Sequence, residues 1–391
     1  MATPRTIRQI NRHRAIRLLM REGRASRAGV ARDLEMMRSS AGSLVEELLS
    51  EGALRPIDAE GGGQGRPAQY FELNPAYARF VGIEVGIRRI HLVARDFRGR
   101  LCHSQALSMQ GIGGSPAGVC AAVAGLVRQT ADVLDWPQDG RLSLGLTFPG
   151  TVSHDGTIMR APLLGWRDVS MMPELHAAFP DLQEIFCDND ANAFAIAELE
   201  EGAIQNLSDA AALWLDVGIG GAFVNEGRLV RGHHGLAGEF GHILSIDRML
   251  EGKSPLRIEA LIGREAIFAE LSRISGDRLT LPDVVARLSD DANPDPALRC
   301  VIDQWQMRCA AVIASLVSAL DPGVILLGGP LAQLFLGDVT RLARMAGDLM
   351  LPGTPPPRIV LARTGASAAA TGVAIMLRDR RLDAELAVRL D

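Results

Sequence analysis

Lysine, aromatic side chains, paired cysteines and long apolar runs are all scarce in this chain of 391 residues. Lys253 is the single lysine among 41 basic residues, which we attribute to genome composition rather than to function. Aromatic residues make up 4% of the chain, whereas glycine contributes 41 residues. That combination suits an α/β protein with many tight turns.

The cysteines are scattered along the chain, at Cys102, Cys120, Cys187, Cys300 and Cys309. No CxxC or CxC pair occurs among them, which excludes a disulfide framework and a cysteine-rich zinc site and favours a reduced compartment. No apolar segment follows the basic N-terminus, so we expect no signal peptide. Asp321 separates the two longest apolar stretches, and neither reaches the roughly 18 residues of a membrane span. These features predict a soluble, cytoplasmic protein without membrane partners.

Charge is distributed unevenly. The net charge is −5, so the whole molecule is not a basic nucleic-acid binder. Between Arg5 and Arg38, however, ten arginines stand against three acidic residues, a local balance of +7. A basic N-terminal segment on an acidic body is typical of a nucleic-acid-binding module joined to a second domain.

Residues 1–75 predict three helices and a hairpin. An apolar stripe that starts at Ile7 and Ile10 indicates the first helix, which Gly23 ends, and Ser26 is the expected N-cap of the second. The third is predicted at Arg38–Ser50. Strands over 53–57 and 69–73 then flank a glycine-rich loop. This succession is typical of a winged helix-turn-helix.

In such a domain the third helix enters the major groove and presents its solvent face to base edges and phosphates, while the wing tip reaches the minor groove or a phosphate. The candidate DNA-contacting residues are Arg27, Arg38, Ser39, Ser40, Ser43 and Arg66. The alternative is a small helical domain that binds protein through ordinary solvated side chains. The charge excess, the helix pattern and the basic wing together favour double-stranded DNA, bound as an inverted repeat by a homodimer or homotetramer.

From Ala78 the pattern changes to strands alternating with helices. Strands are predicted over 80–86, 90–95, 101–108 and 142–150, with a helix over 115–134. A second set begins with a strand over 211–217, a glycine turn at Gly218–Gly221 and a strand over 222–225, followed by a helix over 293–320 and a strand over 324–327. Two halves that each open with strand, glycine turn and strand predict the duplicated actin-like, sugar-kinase-like architecture. There the two turns bind nucleotide phosphates through backbone N–H groups.

Several short motifs then occur in a specific order: Asn11, Ser26–Ala31, Gly65–Pro67, Phe148–Gly150, Asn189–Ala193 with Glu198, Gly218–Gly221, Gly238–His242, Asp321-Pro322 and Leu327–Gly329. In this order the chain resembles the ROK family, which groups sugar-responsive repressors, such as those of the xylose or N-acetylglucosamine type, with sugar kinases. The resemblance covers essentially the whole chain. It implies a winged helix-turn-helix over 1–75 followed by a two-lobed ROK domain. Its lobes would span 78–190 and 191–391, with the C-terminal helix returning to the first.

The resemblance also implies a sugar or effector site at the cleft between the lobes. Its residues would be Gly150, Asn189, Asp190, Glu239, His242 and Glu259. Asp190 matches the kinases' general base and Asn189 a ligand of sugar hydroxyls, whereas the others match further sugar contacts. From the residues alone, the alternative interpretation of Asn189-Asp190 is a turn or a helix cap, and that of His242 is a structural histidine.

Two departures from the family pattern bear on chemistry. The first phosphate turn, Asp-x-Gly-Gly-Thr-Lys in the kinases, here runs from Glu84 to Arg89 with Ile87 and Arg88 in place of the second Gly and the Thr. Both changes obstruct a phosphate, so we expect no ATP-dependent catalysis and regard Asp190 as a vestigial base. Arg88 and Arg89 are interpreted as a solvated strand end rather than a phosphate grip.

The second departure concerns zinc. The family's Cys-x-Cys-Gly-x-x-Gly-Cys run is replaced by the cysteine-free segment 245–257, and His242 alone cannot hold a structural zinc. We therefore expect neither zinc nor another metal, and no cofactor. Leu163 also stands where the family has an Asn before its Gly-Trp pair, which predicts one polar sugar contact fewer.

Three functions remain open on the sequence. The leading one is a DNA-binding regulator, expected to act as a repressor, whose degenerate kinase-like domain senses a sugar or sugar derivative. The second is an active ROK sugar kinase with an accessory DNA-binding domain, which Ile87 and Arg88 oppose. The third is a regulator controlled by a protein partner, with the sugar site vestigial.

Overall fold

The computed structural model describes residues 4–57, 69–137, 139–245, 254–290 and 292–387. The chain forms two compact units. Unit 1 comprises Met1–Leu146, Ser170–Phe186 and Val373–Asp391, and unit 2 comprises Thr147–Val169 and Cys187–Gly372. Residues 147–169 therefore cluster with unit 2, although the expected lobe boundary places them in the first lobe. The winged helix and the C-terminal helix both belong to unit 1.

The described helices are α1 (Pro4–Glu22), α2 (Arg27–Asp33), α3 (Arg38–Ser50), α4 (Pro116–Val133), α5 (Met172–Ala178), α6 (Asp190–Glu201), α7 (Glu259–Ile262), α8 (Arg264–Ser275), α9 (Leu281–Leu288), α10 (Pro296–Leu320), α11 (Val339–Gly347) and α12 (Ala368–Ala387). Short 3₁₀ helices occur at Pro162–Leu164, Phe240–His242, Pro330–Phe335 and Gly365–Ser367. None of the helices in the described part of the chain is long and apolar enough to cross a membrane.

The strands are β1 (Ala25–Ser26), β2 (Leu54–Ile57), β3 (Tyr70–Leu73), β4 (Arg79–Val85), β5 (Arg89–Asp96), β6 (Leu101–Ser108), β7 (Leu142–Phe148), β8 (Thr151–Val152), β9 (Ile158–Ala161), β10 (Trp166–Val169), β11 (Glu184–Asn189), β12 (Ala210–Leu215), β13 (Ile219–Asn225), β14 (Arg228–Leu229), β15 (Leu244–Ser245), β16 (Leu256–Arg257), β17 (Val324–Gly328) and β18 (Ile359–Leu361).

The winged helix-turn-helix is present, with α1, α2 and α3 followed by the antiparallel pair β2 and β3. Ser26 caps α2, since its side-chain oxygen accepts a hydrogen bond from the backbone N–H of Gly29 at 3.1 Å, as predicted. Gly23 follows α1 with a positive φ of 75°, a conformation that suits glycine at a helix end. Residues 58–68, which include Arg66 and the predicted wing tip, lie outside the described residues.

One part of the predicted core of α1 is wrong. Ile7 and Ile10, assigned to the apolar stripe, are 50% and 45% exposed. Gln9 and Arg12 are buried in their place. The reason is an ion pair: Arg12 contacts Glu51, the residue that follows α3, so a satisfied charge takes the inward position in this half of the helix.

Unit 1 contains a five-stranded sheet in the order β11-β7-β4-β5-β6. Strand β4 pairs with β5 and β5 with β6, both antiparallel. The amphipathic helix α4 begins after Ser115, whose side chain accepts from the N–H of Gly118 at 3.2 Å. Gly145 in β7 lies directly under α12, because a Cβ at this position would approach the side chain of Val373 to 2.6 Å.

Unit 2 contains a second five-stranded sheet, in the order β14-β13-β12-β17-β18. Strands β12 and β17 are parallel and β12 and β13 antiparallel, and a large apolar core lies between this sheet and helices α8 to α11. The fully buried Trp305 of α10 is in this core, where its indole N–H donates to the carbonyl of Ile262 at 2.8 Å. Both halves of the duplicated architecture are therefore present.

The predicted glycine turn Gly218–Gly221 is largely strand. Ile219, Gly220 and Gly221 pair with the end of β12, so the turn consists of 216–218. The two glycines are required by packing: a Cβ on Gly221 would overlap the ring of Phe240, and one on Gly220 would approach Ala191 to 3.0 Å. The predicted bounds of the turn were therefore wrong: Gly220 and Gly221 lie in β13, where they permit the close approach of neighbouring elements.

Candidate functional site

The solvent face of α3 is open in the way a DNA-reading helix requires. Arg38, Ser39, Ser40 and Ser43 are all exposed, while Ala41, Leu44, Val45 and Leu48 face the core. Within the described residues, the Arg38 side chain has no hydrogen-bond or ion-pair partner. A cation and three hydroxyls on one helical face supply donors for both phosphates and base edges.

Arg27, the first residue of α2, is engaged by protein groups. Its guanidinium donates to Gln69 Oε1 at 3.0 Å, pairs with Glu46 of α3, and lies over the Phe71 ring with 4.6 Å to the ring centroid. These contacts fasten α2 to α3 and to β3. A DNA contact by Arg27 remains a prediction, and it would require the guanidinium to leave Glu46.

All the candidate effector residues lie in unit 2, rather than being divided between two lobes. Unit 2 begins at Thr147, near the end of β7, and again at Cys187 within β11. Gly150 and Asn189 both follow these boundaries. At Gly150 a Cβ would overlap the carbonyl oxygen of Arg160 in β9, so glycine is required there for backbone packing. Backbone packing alone therefore explains why residue 150 is a glycine, without any ligand.

Asn189 is the N-cap of α6. Its side-chain oxygen accepts from the N–H groups of Ala191 at 2.7 Å and Asn192 at 3.1 Å, and its amide group donates to the carbonyl of Gly150 at 2.7 Å. The helix-cap interpretation is therefore confirmed. A side-chain amide carries two donor hydrogens, so one remains for a ligand hydroxyl.

Asp190, the first residue of α6, is half-buried. Burial, with a contribution from the neighbouring charges of Glu239 and Asp216 and against the hydrogen bond from the N–H of Ala191, raises the pKa of its carboxyl to about 7. The carboxyl is therefore close to half-protonated at neutral pH. It can both donate and accept a hydrogen bond there.

Glu239, His242 and Glu259 are brought together by the pairing of β15 with β16. Leu244 opposes Arg257 in this two-stranded sheet, and Glu259, two residues after Arg257, begins α7. The distance from His242 Nδ1 to Glu259 Oε1 is 3.6 Å.

Burial shifts the pKa values of Glu239 and His242 in opposite directions. It raises the pKa of Glu239, with a further contribution from the charge of Glu259, and it lowers the pKa of His242, where Arg257 and Arg160 act in the same direction against Glu259. At neutral pH the imidazole is thus largely neutral beside two carboxylates. The predicted residues form a cluster rich in hydrogen-bond acceptors.

Sequence reasoning missed two ion pairs that support this cluster. Asp188, 2% exposed, accepts hydrogen bonds from the N–H of Asn189 at 2.7 Å and from the side chain of Asn192 at 2.9 Å, and it pairs with Arg231. Asp216 accepts from Arg264 Nε at 2.8 Å. Asp188 directly precedes the recognised Asn189-Asp190 motif. The sequence signal for this ion pair was an acidic residue, Asp188, directly after the apolar residues of β11. A buried carboxylate requires a partner, so a basic residue elsewhere in the chain was to be expected.

The first glycine turn is a tight hairpin between β4 and β5. The Gly86 N–H donates to the carbonyl of Arg89 at 2.9 Å, so this donor is already used within the hairpin. Ile87 occupies the tip with its side chain 45% exposed. The turn therefore presents a β-branched side chain where a phosphate-binding turn presents free backbone N–H groups.

The family's structural zinc does not fit the residues described around His242. His242 Nδ1 is buried and makes no hydrogen bond to the described residues, and its nearest charged partner is a carboxylate rather than a thiolate. Within the described ranges, no group of three or more His, Cys, Asp or Glu side chains is arranged to hold a metal ion.

Comparison with known proteins gives regulators and sugar kinases. The xylose repressor of Caldicellulosiruptor bescii is 25% identical over 237 residues, which span 60% of this chain and 59% of that repressor. A crystal structure described as a ROK family transcriptional regulator, homologous to the Escherichia coli MLC protein, covers 98% of both chains with a TM-score of 0.81 and 23% identity.

The kinase likeness is confined to the larger part of the chain. The ROK hexokinase from Thermus thermophilus covers 77% of this chain and 99% of its own length, with a TM-score of 0.61 and 26% identity. The sequence profile of the ROK family matches residues 80–380, which begin after the winged helix. This match covers more than half of the chain, so the chain belongs to the ROK family.

Proposed function

We propose that this protein is a DNA-binding transcriptional regulator, acting as a repressor, whose kinase-like domain binds a sugar or sugar derivative as effector. The observation that carries the proposal is the exposed face of α3, with an Arg38 side chain that no described residue neutralises, in a domain outside the matched region 80–380. A helix-turn-helix covers only a few base pairs. We therefore propose binding to an inverted repeat by a homodimer or homotetramer.

The chemistry of the cluster supports a polyhydroxyl effector. Asp190, Glu239 and Glu259 offer carboxylate oxygens, and burial and mutual repulsion raise the pKa values of the first two. Hydroxyl groups that donate to these oxygens relieve that repulsion, and each such hydrogen bond contributes roughly 1.5–3 kcal/mol. Two or three of them supply the several kcal/mol that a population switch requires.

We also propose that the protein requires neither ATP nor zinc. The first turn uses its Gly86 N–H within the hairpin and places Ile87 at the tip, which opposes phosphate binding. The donors near His242 are oxygens, whereas a structural zinc site is built from thiolates and imidazoles. Metal analysis of the purified protein tests the second point directly, because one zinc per chain would contradict it.

The decisive experiment combines selection of DNA with a sugar panel. Selection from a random duplex library identifies the operator, and fluorescence anisotropy then measures its affinity with and without D-xylose, D-glucose or N-acetyl-D-glucosamine. We expect an inverted-repeat operator and at least fivefold weaker binding with one of the sugars or a close derivative. A protein that enriches no sequence would contradict the DNA-binding proposal.

Asp190→Asn tests the effector site. This substitution preserves size and should leave operator affinity without sugar within twofold of wild type, while shifting release to at least tenfold higher sugar concentration, since it removes one charged hydrogen bond. Asp277→Asn changes an exposed carboxylate of the same unit and serves as the matched control. Release by Asp190→Asn at the wild-type sugar concentration would exclude the cluster from the mechanism.

A second candidate function, an active sugar kinase, has one observation in its favour. A carboxyl whose pKa is about 7, such as that of Asp190, suits a general base at neutral pH. The closed first turn opposes it. Sugar-dependent consumption of ATP above the level of Asp190→Asn would establish the kinase, whereas equal rates would leave the regulator.

A further inference from the structure

The second half of the C-terminal helix α12 contacts the winged helix and the segment that follows it. Asp379 Oδ2 pairs with Arg17 Nη2 of α1 at 3.1 Å. Two residues later, the Arg381 guanidinium lies over the ring of Tyr77, with 5.4 Å to the centroid, and the Tyr77 hydroxyl accepts from Arg12 of α1 at 3.4 Å. Neighbouring residues of α12 thus contact both α1 and the segment that joins the winged helix to β4.

The residue between them contacts the strand that leads to the effector cluster. Arg380 Nε donates to Glu184 Oε1 at 2.7 Å, and its guanidinium lies over the ring of Phe186 with 4.3 Å to the centroid. Glu184 is the first residue of β11, and the same strand ends at Asn189. A displacement of β11 along its axis therefore acts on Arg380 directly.

The start of α12 is fixed to α6, whose first residue is Asp190. A Cβ on Gly372 would overlap the carbonyl oxygen of Ala193, so the backbones of the two helices are in direct contact. The fully buried Glu198 of α6 accepts hydrogen bonds from the N–H and the hydroxyl of Thr364, at 2.7 and 2.6 Å, just before α12 begins. Each of these contacts lies within one unit.

We propose that α12 couples effector binding to the winged helix, with Arg17, Glu184 and Gly372 as positioning residues. The helix contacts both elements that meet at the Asn189-Asp190 junction, and through its next residues it contacts α1. Gly372 and Asp379 are seven residues apart, about 10 Å along a continuous helix and on the same face. A ligand that shifts the junction therefore shifts a rigid element that holds α1. The regulatory part of this inference rests on the proposed function.

The first experiment compares two arginines of α1. Arg17 pairs with Asp379 of α12, whereas Arg21, one turn later, pairs with its neighbour Glu22. With the sugar that releases wild-type protein, Arg17→Ala should bind sugar within twofold of wild type by calorimetry, yet lose at least two-thirds of the sugar-induced change in operator affinity. Arg21→Ala should retain that change. If both variants release DNA as the wild type does, α12 is not the coupling element, although the regulator function stands.

The second experiment needs neither DNA nor sugar. Glu184→Gln removes the ion pair with Arg380, and Glu270→Gln removes a comparable pair with Arg308; both carboxylates have side chains 23% exposed. Amide hydrogen exchange should become at least about twofold faster in α1 of Glu184→Gln and remain unchanged in α1 of Glu270→Gln. Equal exchange of α1 in the two variants would overturn the coupling even if no sugar binds. Faster exchange in Glu184→Gln alone would support it independently of the proposed function.

Discussion

The winged helix and the effector cluster both concentrate charge of one sign, but they treat it differently. In the winged helix, arginines of α1 are matched by acids: Arg8 Nε donates to Glu47 at 2.7 Å, and Arg12 pairs with Glu51. In the effector cluster, Asp190 and Glu239 lie among other carboxylates, and the pKa of each is raised. The paired arginines stabilise the folded winged helix. The carboxyl groups without a counter-ion are available to bind a ligand.

This difference corrects a simple use of net charge. The excess of arginine before residue 38 pointed to DNA binding, yet several of those arginines hold α1 against α3 and α12. The DNA-binding inference depends instead on Arg38, for which the described residues provide no partner. The comparison predicts where substitutions act: on folding where a buried charge is paired, and on binding where an exposed charge is not.

The largest effect on folding is expected at the buried pair of Asp188 and Arg231, which supports the effector cluster. Arg231→Met leaves the carboxylate of Asp188, 2% exposed, without its counter-ion, and should lower the free energy of unfolding by roughly 3 kcal/mol. Chemical denaturation measures the loss. The double variant Arg231→Met/Asp188→Asn should recover more than half of it, because the uncompensated charge is then absent. If the single variant lost less than about 0.5 kcal/mol of unfolding free energy, the pair would not contribute to stability.

The second prediction concerns Arg38, an exposed arginine of α3 for which the described residues provide no partner. Arg38→Ala should weaken operator binding by about 1–3 kcal/mol, as expected for a lost base contact, and leave thermal stability unchanged. Ser43→Ala, on the same face, should show a smaller loss of the same kind. Anisotropy with the selected operator and thermal unfolding give the two readouts. Operator affinity unchanged in both variants would contradict the assignment of α3 as the recognition helix.

Much of the fold was predictable, because local patterns decide it. The bounds of α3, Arg38–Ser50, agree with the prediction to the residue, since four buried positions at helical spacing lie between an extended residue and Gly52. The prediction that Ile7 and Ile10 of α1 are buried was wrong. Arg12 is buried instead, because it pairs with Glu51, which is 39 residues away in the sequence. No local pattern contains that information.

In the candidate site, too, the local motifs were predictable and the long-range contacts were not. Its motif residues meet in one unit instead of being divided between two lobes, and the charged groups around them come from separate segments. Asp216 raises the pKa of Asp190 from the turn between β12 and β13, and Arg231 reaches Asp188 from 43 positions along the chain. Such long-range contacts depend on strand order, which periodicity alone does not fix.

The third prediction follows from the raised pKa of Asp190. Its folded-state value of about 7 lies above the usual 3.8, so the folded state favours the protonated carboxyl, and stability is lost as the pH rises from about 4 through 7. Asp190→Asn cannot ionise. It should therefore exceed the wild type in unfolding free energy by about 1–3 kcal/mol at pH 8, and the gain should vanish near pH 4. Thermal unfolding across this range tests the sign. An equal gain at both pH values would mean that the carboxyl is not protonated by its surroundings.

The smallest effect is expected where a charge is paired but exposed. The side chains of Arg21 and Glu22 are 73% and 50% exposed, and their contact at 2.8 Å lies within water-screened surface. Arg21→Ala should change the free energy of unfolding by less than about 0.5 kcal/mol, and operator affinity by less than threefold. The same measurements on Arg38→Ala provide the contrast within one domain. If Arg21→Ala weakened operator binding as strongly as Arg38→Ala, the whole arginine excess would be acting on DNA, and the distinction between paired and unpaired charge would fail for this domain.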